Sequence, residues 1–156
     1  MVKAKDSLAK VKKLRLLSGA GIMDCRRALE KTKGNLNQAF KVLQEKGEAI
    51  VAKKADRKTG EGLIASYVHT DGRVGAMLIL LCETDFVART VDFKSLAHEL
   101  TMQVAAMDPA SIEELLAQEY IKDSKLKVRD LIKQMITRTG ENIRIGKFIR
   151  MVVNNS

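Results

Sequence analysis

A chain of 156 residues, 46% hydrophobic but only 4% aromatic, with one proline and no tryptophan, suits one or two small folded domains with aliphatic cores. It offers no run long enough to span a membrane, no apolar signal core at its start, and two cysteines, Cys25 and Cys82, at neither metal nor redox spacing; a cytoplasmic protein with buried thiols is expected. The formal net charge of +9 is uneven: residues 1–58 hold 16 Lys and Arg against 6 Asp and Glu, whereas residues 59–156 hold 12 against 13. That asymmetry fits a nucleic-acid footprint, steering toward an acidic partner, or simply a solvated lysine-rich face.

Residues 7–46 read as three short helices. In 7–17, Leu8, Val11, Leu14 and Leu17 recur every three residues and predict one apolar face, which Ser18-Gly19-Ala20-Gly21 ends. In 23–32 the apolar positions are Met23, Ala28 and Leu29, with Gly34 as a glycine just past the helix end. Asn35 stands three residues before Gln38, a variant capping box for a helix that uses Leu36, Ala39, Phe40 and Leu43 and closes at Gly47. Three helices joined by such short connections predict a compact bundle of the helix–turn–helix kind. Residues 48–62 then turn basic, with Lys53-Lys54 and Arg57-Lys58, and read as a helical linker that loosens near Thr59-Gly60. The domain boundary is placed at residue 56, giving a basic head over 1–56 and a body over 57–156.

Past the boundary the pattern becomes strand-like. Residues 63–69 carry Ile64, Tyr67 and Val68, and Asp71-Gly72 predicts a hairpin turn. The returning strand, Val74–Cys82, is so apolar that cover on both faces is expected. A helix over Val91–Met107 presents Phe93, Leu96, Leu100, Val104 and Met107 to the sheet and stops at Asp108-Pro109. A short helix near 112–118 and a longer one over 125–138, with Val128, Leu131, Ile132, Met135 and Ile136, follow, and Gly140 caps the second. Residues 143–153 alternate through Ile143, Ile145, Ile149, Met151 and Val153, interrupted by Gly146, and predict a third antiparallel strand. The fold class is therefore α+β: a three-helix bundle followed by a body whose three-stranded antiparallel sheet is packed by helices.

The catalytic inventory is thin. His69 and His98 are the only imidazoles, and neither has an acidic or nucleophilic neighbour at a recognisable spacing. Neither a Walker loop nor a dinucleotide fingerprint is present, and Met77, Met102, Met107, Met135 and Met151 fall at core periods. No enzyme, cofactor or metal is expected. The informative stretch is Cys82-Glu83-Thr84-Asp85-Phe86-Val87-Ala88-Arg89, which leaves a buried strand for a helix and so crosses the surface. Two readings of it stand side by side. In one, Thr84 or Asp85 caps the helix and Phe86 tucks into the core; in the other, Asp85 and Phe86 form an outward probe that enters a partner.

Two separated signatures resemble the elongation factor Ts family, the guanine-nucleotide exchange factors of elongation factor Tu. One spans residues 14–29 around Ser18-Gly19-Ala20-Gly21-Ile22-Met23-Asp24-Cys25; the other is Glu83-Thr84-Asp85-Phe86-Val87-Ala88-Arg89. Ala52-Lys53-Lys54-Ala55, Lys125-Leu126-Lys127-Val128 and Thr139-Gly140-Glu141-Asn142-Ile143 also fit, so the likeness runs along essentially the whole chain. The resemblance implies that this protein binds elongation factor Tu, both GDP-bound and nucleotide-free, and promotes GDP release during translation elongation. It implies that Phe86 wedges between two helices of the partner's nucleotide-binding domain while Asp85 disturbs its Mg²⁺ water shell, with Thr84 and Val87 in the same contact. It implies a ubiquitin-associated-like head docked on that domain, with Arg26 on the head and Lys54 in the linker as basic contacts. Larger members carry a second sheet lobe and an inserted helical hairpin after the position of Pro109, and only about ten residues stand there in this chain. The chain thus resembles the short, single-lobed members, and a homodimer through the body is expected, since a short sheet with apolar edges seeks pairing. A small RNA-binding protein with a basic head is the competing reading; the absence of interleaved aromatics and of RNA-binding motifs weighs against direct nucleic-acid contact.

Overall fold

The computed structural model describes residues 2–153, with side chains from Ser7 onward. The chain divides into two compact units, residues 1–56 with Lys133–Gly140, and Arg57–Ile132 with the residues from Glu141 on. The architecture is α+β, with a three-stranded antiparallel sheet and several helices.

In the first unit, α1 (Val2–Ser18), α2 (Ile22–Lys31) and α3 (Leu36–Lys54) pack around Val11, Leu14, Ala20, Cys25, Ala28, Leu29, Ala39 and Leu43. The apolar face expected of α1 is only half there: Val11 and Leu14 are buried, Leu8 and Leu17 exposed. A strict three-residue step falls about 60° short of a full turn each time, so Leu8 and Leu17 end on opposite sides of the helix. Met23 is likewise exposed. Past α2, Thr32 is the C-cap, and Lys33 (φ 52°) and Gly34 (φ 81°) are both left-handed, so Gly34 helps end the helix as expected, one residue beyond the first position past the cap. Lys33 N–H donates to Glu30 O and Gly34 N–H to Leu29 O, the paired closure of a Schellman turn. Asn35 caps α3, its side-chain oxygen accepting the Gln38 N–H at 3.1 Å. Gly47 does not close α3, which runs on to Lys54. A Cβ there would stand 3.1 Å from Cε of Lys133, the flexible end of a side chain that a small shift would clear.

The second unit begins with β1 (Glu61–Val68) and β2 (Val74–Cys82), joined through a turn in which Gly72 N–H donates to His69 O. A single turn, α4 (Asp85–Ala88), precedes α5 (Val91–Met107) and α6 (Ile112–Ala117). Next come β3 (Glu119–Tyr120), β4 (Asp123–Lys127), α7 (Val128–Thr139), which is divided between the two units, and β5 (Arg144–Val152). The sheet order is β1-β2-β5, all antiparallel, with Gly146 taken up in a bulge opposite Ile79 and Leu80. The start expected for the helix over 125–138 is corrected, because 123–127 pair with β3 instead. The fully buried Gln103 holds that small hairpin, donating to Glu119 O and accepting Ile121 N–H, both at 3.0 Å.

One sheet face is closed. Ala76, Leu78, Leu80 and Cys82 are buried under α5, whose Phe93, Leu96, Leu100 and Val104 are buried too, whereas Met107, expected beside them, is half exposed. The other face is open, against the expectation of cover on both sides. Ile64 (63% exposed) and Val68 (66%) on β1 stand beside Met77 on β2 and Ile149 and Met151 on β5, all exposed. Alternation along a strand sends neighbours to opposite faces, and α5 covers only one of them.

Candidate functional site

The site grows from the end of β2. When the chain leaves the ladder at Cys82, the next backbone N–H groups need new acceptors. One carboxylate supplies them: Glu141 Oε2 accepts the N–H of Glu83 and of Thr84, each at 3.1 Å, and Glu141 Oε1 accepts the Thr84 hydroxyl at 2.6 Å. Glu83 returns the grip, its Oε1 accepting Asn142 N–H at 2.6 Å and its Oε2 pairing with Arg57 at 3.4 Å. Asn142 Nδ2 donates to Arg57 O at 2.9 Å, and Arg144 Nε to Thr59 Oγ1 at 2.6 Å. The Cys82 thiol donates to Thr84 O at 3.1 Å. Burial, reinforced by the Glu141 charge, pushes that thiol up to about 11, so it stays neutral at physiological pH.

On this frame sits the single turn α4. Thr84 is its N-cap, with Oγ1 accepting the Val87 N–H at 3.5 Å, and Thr90 caps α5 directly behind it by accepting Phe93 N–H at 3.2 Å. Ala88 is buried, and a residue two positions away lies about 200° around a helical turn. Phe86 is therefore turned to solvent, 80% exposed. The capping reading holds for Thr84, but Phe86 does not tuck into the core. Asp85 is half-buried and pairs with Arg89 one turn on at 2.9 Å, a surface contact of little energetic weight. Val87 is half-buried.

A family model described as elongation factor Ts matches residues 83–156, opening on the first residue of this corner. An elongation factor Ts of Thermotoga neapolitana is 40% identical over 190 residues, covering 94% of this chain and 96% of the relative. The chain belongs to the elongation factor Ts family. A second relative of the same description, from Thermotoga maritima, is 41% identical with 92% and 94% covered; a third, from Nostoc, is 44% identical over 97% of this chain but only 48% of its own length. The Thermotoga match is longer than the 156-residue chain, so those elongation factor Ts proteins hold residues with no counterpart here.

Thr84, Asp85, Phe86 and Val87 thus share one corner of the second unit. Arg26 and Lys54 belong to the first: Arg26 is exposed on α2 and pairs with Glu30 at 3.1 Å, and Lys54 lies half-buried in the last turn of α3. Reading the residues missed Glu83, Glu141 and Asn142 as the frame of the corner; the only signal was Gly140-Glu141-Asn142 among the family-like segments. Among the described residues no group of three or more His, Cys, Asp or Glu is placed to hold a metal, and no helix is long and apolar enough to cross a membrane.

Proposed function

We propose that this protein is a guanine-nucleotide exchange factor that binds elongation factor Tu, GDP-bound or nucleotide-free, and promotes GDP release during translation elongation by inserting Asp85 and Phe86 near the partner's Mg²⁺ and phosphate site. The carrying observation is Phe86: a large apolar side chain four-fifths exposed on a corner whose Glu83 and Thr84 N–H groups are held by Glu141, in a chain of this family. Such a side chain needs no rearrangement to enter a pocket, so little conformational entropy opposes its burial. Thr84 and Val87 frame the insertion, and Asp85, held only by a surface pair, can turn its charge against the Mg²⁺ water shell. The protein performs no bond chemistry of its own. A partner that binds the emptied GTPase more tightly than the GDP-loaded one weakens GDP by the same factor.

Residues 1–56 act as a basic, ubiquitin-associated-like docking head and 57–156 as the exchange body; three helices around one small core support the first part. Arg26 and Lys54 contribute basic contacts to elongation factor Tu, and the excess positive charge speeds encounter. The body pairs with a second copy, which the open apolar sheet face supports. The site is cytoplasmic, with no cofactor and no direct nucleic-acid contact. Release of labelled GDP from elongation factor Tu tests the function: the rate rises with the concentration of this protein and saturates, and a rate indifferent to it refutes the proposal.

A further inference from the structure

We infer that Glu141 is a positioning residue for exchange: through Thr84 it holds α4 in the one conformation that points Phe86 at the partner. This rests on the insertion reading above and adds a residue to it. The carboxylate is the shared acceptor of three donors, the N–H groups of Glu83 and Thr84 and the Thr84 hydroxyl, all within 3.1 Å. The hydroxyl's orientation matters twice. By donating to Glu141, Thr84 Oγ1 leaves its lone pair to accept the Val87 N–H, the bond that starts the turn carrying Phe86. The reciprocal bond from Asn142 N–H to Glu83 Oε1 at 2.6 Å ties the loop bearing Glu141 back to the same corner. A four-residue turn has too few internal bonds to persist alone, so its geometry is borrowed from this clasp. Glu141 itself need touch no partner; it decides where Phe86 points.

A double-mutant cycle on labelled-GDP release, counted per folded molecule, tests this. Glu141→Ala slows exchange roughly tenfold in the native background, because charge-assisted bonds and a small displacement of a docking group each carry that much. Glu141→Gln keeps an oxygen for the two backbone donors and restores exchange to within about threefold of native. In a Phe86→Ala background, where there is no wedge left to aim, Glu141→Ala costs less than about twofold more. Equal losses in both backgrounds, or no loss in the native one, overturn the inference. Should Glu141→Ala fail to fold, Thr84→Val, which removes only the hydroxyl link, replaces it in the cycle and is judged the same way: non-additivity with Phe86→Ala supports the inference, additivity overturns it. Exchange unaffected by Phe86→Ala would instead remove the insertion reading itself; a loss there with Glu141→Ala silent removes only the role of Glu141.

Discussion

The second unit exposes apolar surface in two ways. At the corner after β2 a single phenylalanine stands out from a backbone in which Glu141, Glu83, Asn142 and the Cys82 thiol occupy the polar groups around it. On the open face of the sheet at least five aliphatic or methionine side chains lie across three strands, with no side chain covering them enough to bury them. A lone aromatic on a fixed frame suits a small pocket, where depth and direction matter. A broad, flat, adaptable patch suits another flat surface, where area matters. On the function proposed above, one molecule carries a probe and a platform, and they should respond differently to mutation.

The largest contrast lies across the sheet itself. Leu80, fully buried under α5, should cost about 3 kcal/mol of unfolding free energy when changed to Ala, within the range for buried leucines. Met77, three residues earlier on the open face and 41% exposed, should cost less, about 1 kcal/mol when changed to Ala in the dissociated chain, since much of its surface stays in water on folding. Denaturant midpoints at low protein concentration read both, and equal costs would mean that the open face is packed.

Next comes assembly. If the platform receives a second copy, native protein scatters light as a dimer at micromolar concentration. Met77→Lys places an unpaired charge at the centre of the patch and should shift the mass to a monomer, a change worth about 2 kcal/mol or more in association. A native monomer would leave the patch without the occupant proposed for it.

The smallest effect concerns the thiol beneath the probe. Cys82 has its folded value raised from 9.0 to about 11, so the folded state holds the proton that the unfolded state gives up. The resulting stability is complete below pH 9 and fades as pH climbs from 9 to about 11. Cys82→Ala should flatten that part of the thermal-stability profile, and an unchanged alkaline slope would assign it to other groups, Tyr120 among them, whose hydroxyl is also raised by burial and by the bond it donates to Glu99.

Long apolar segments are legible in the sequence. β2, α5 and the third strand stand where periodicity puts them, and α5 stops at Asp108 as expected; its N-cap, Thr90, is seen only in the structure. Short or context-bound features are not. The two-residue strand β3 is too brief for any period, and Gly47 reads as a helix end although α3 runs on through it. That one face of β2 is open depends on how many helices reach it, which its own residues do not encode. At the site, Thr84 as a cap was readable from its type and place. The direction of Phe86 was not, because it follows from Ala88 being the buried member of the turn. The clasp by Glu141 joins residues 57 and 58 positions apart and leaves no local trace.

If Phe86 is a probe for the partner and no part of the core, its removal should disable exchange and spare the fold. Phe86→Ala, followed in parallel by thermal unfolding and by labelled-GDP release from elongation factor Tu, tests it most directly. The expected result is a melting temperature within a degree or two of native, at the order of magnitude set for surface substitutions, together with exchange slowed roughly thirtyfold, the weight of a buried interface aromatic. A variant that unfolds early while exchanging GDP normally per folded molecule would contradict it.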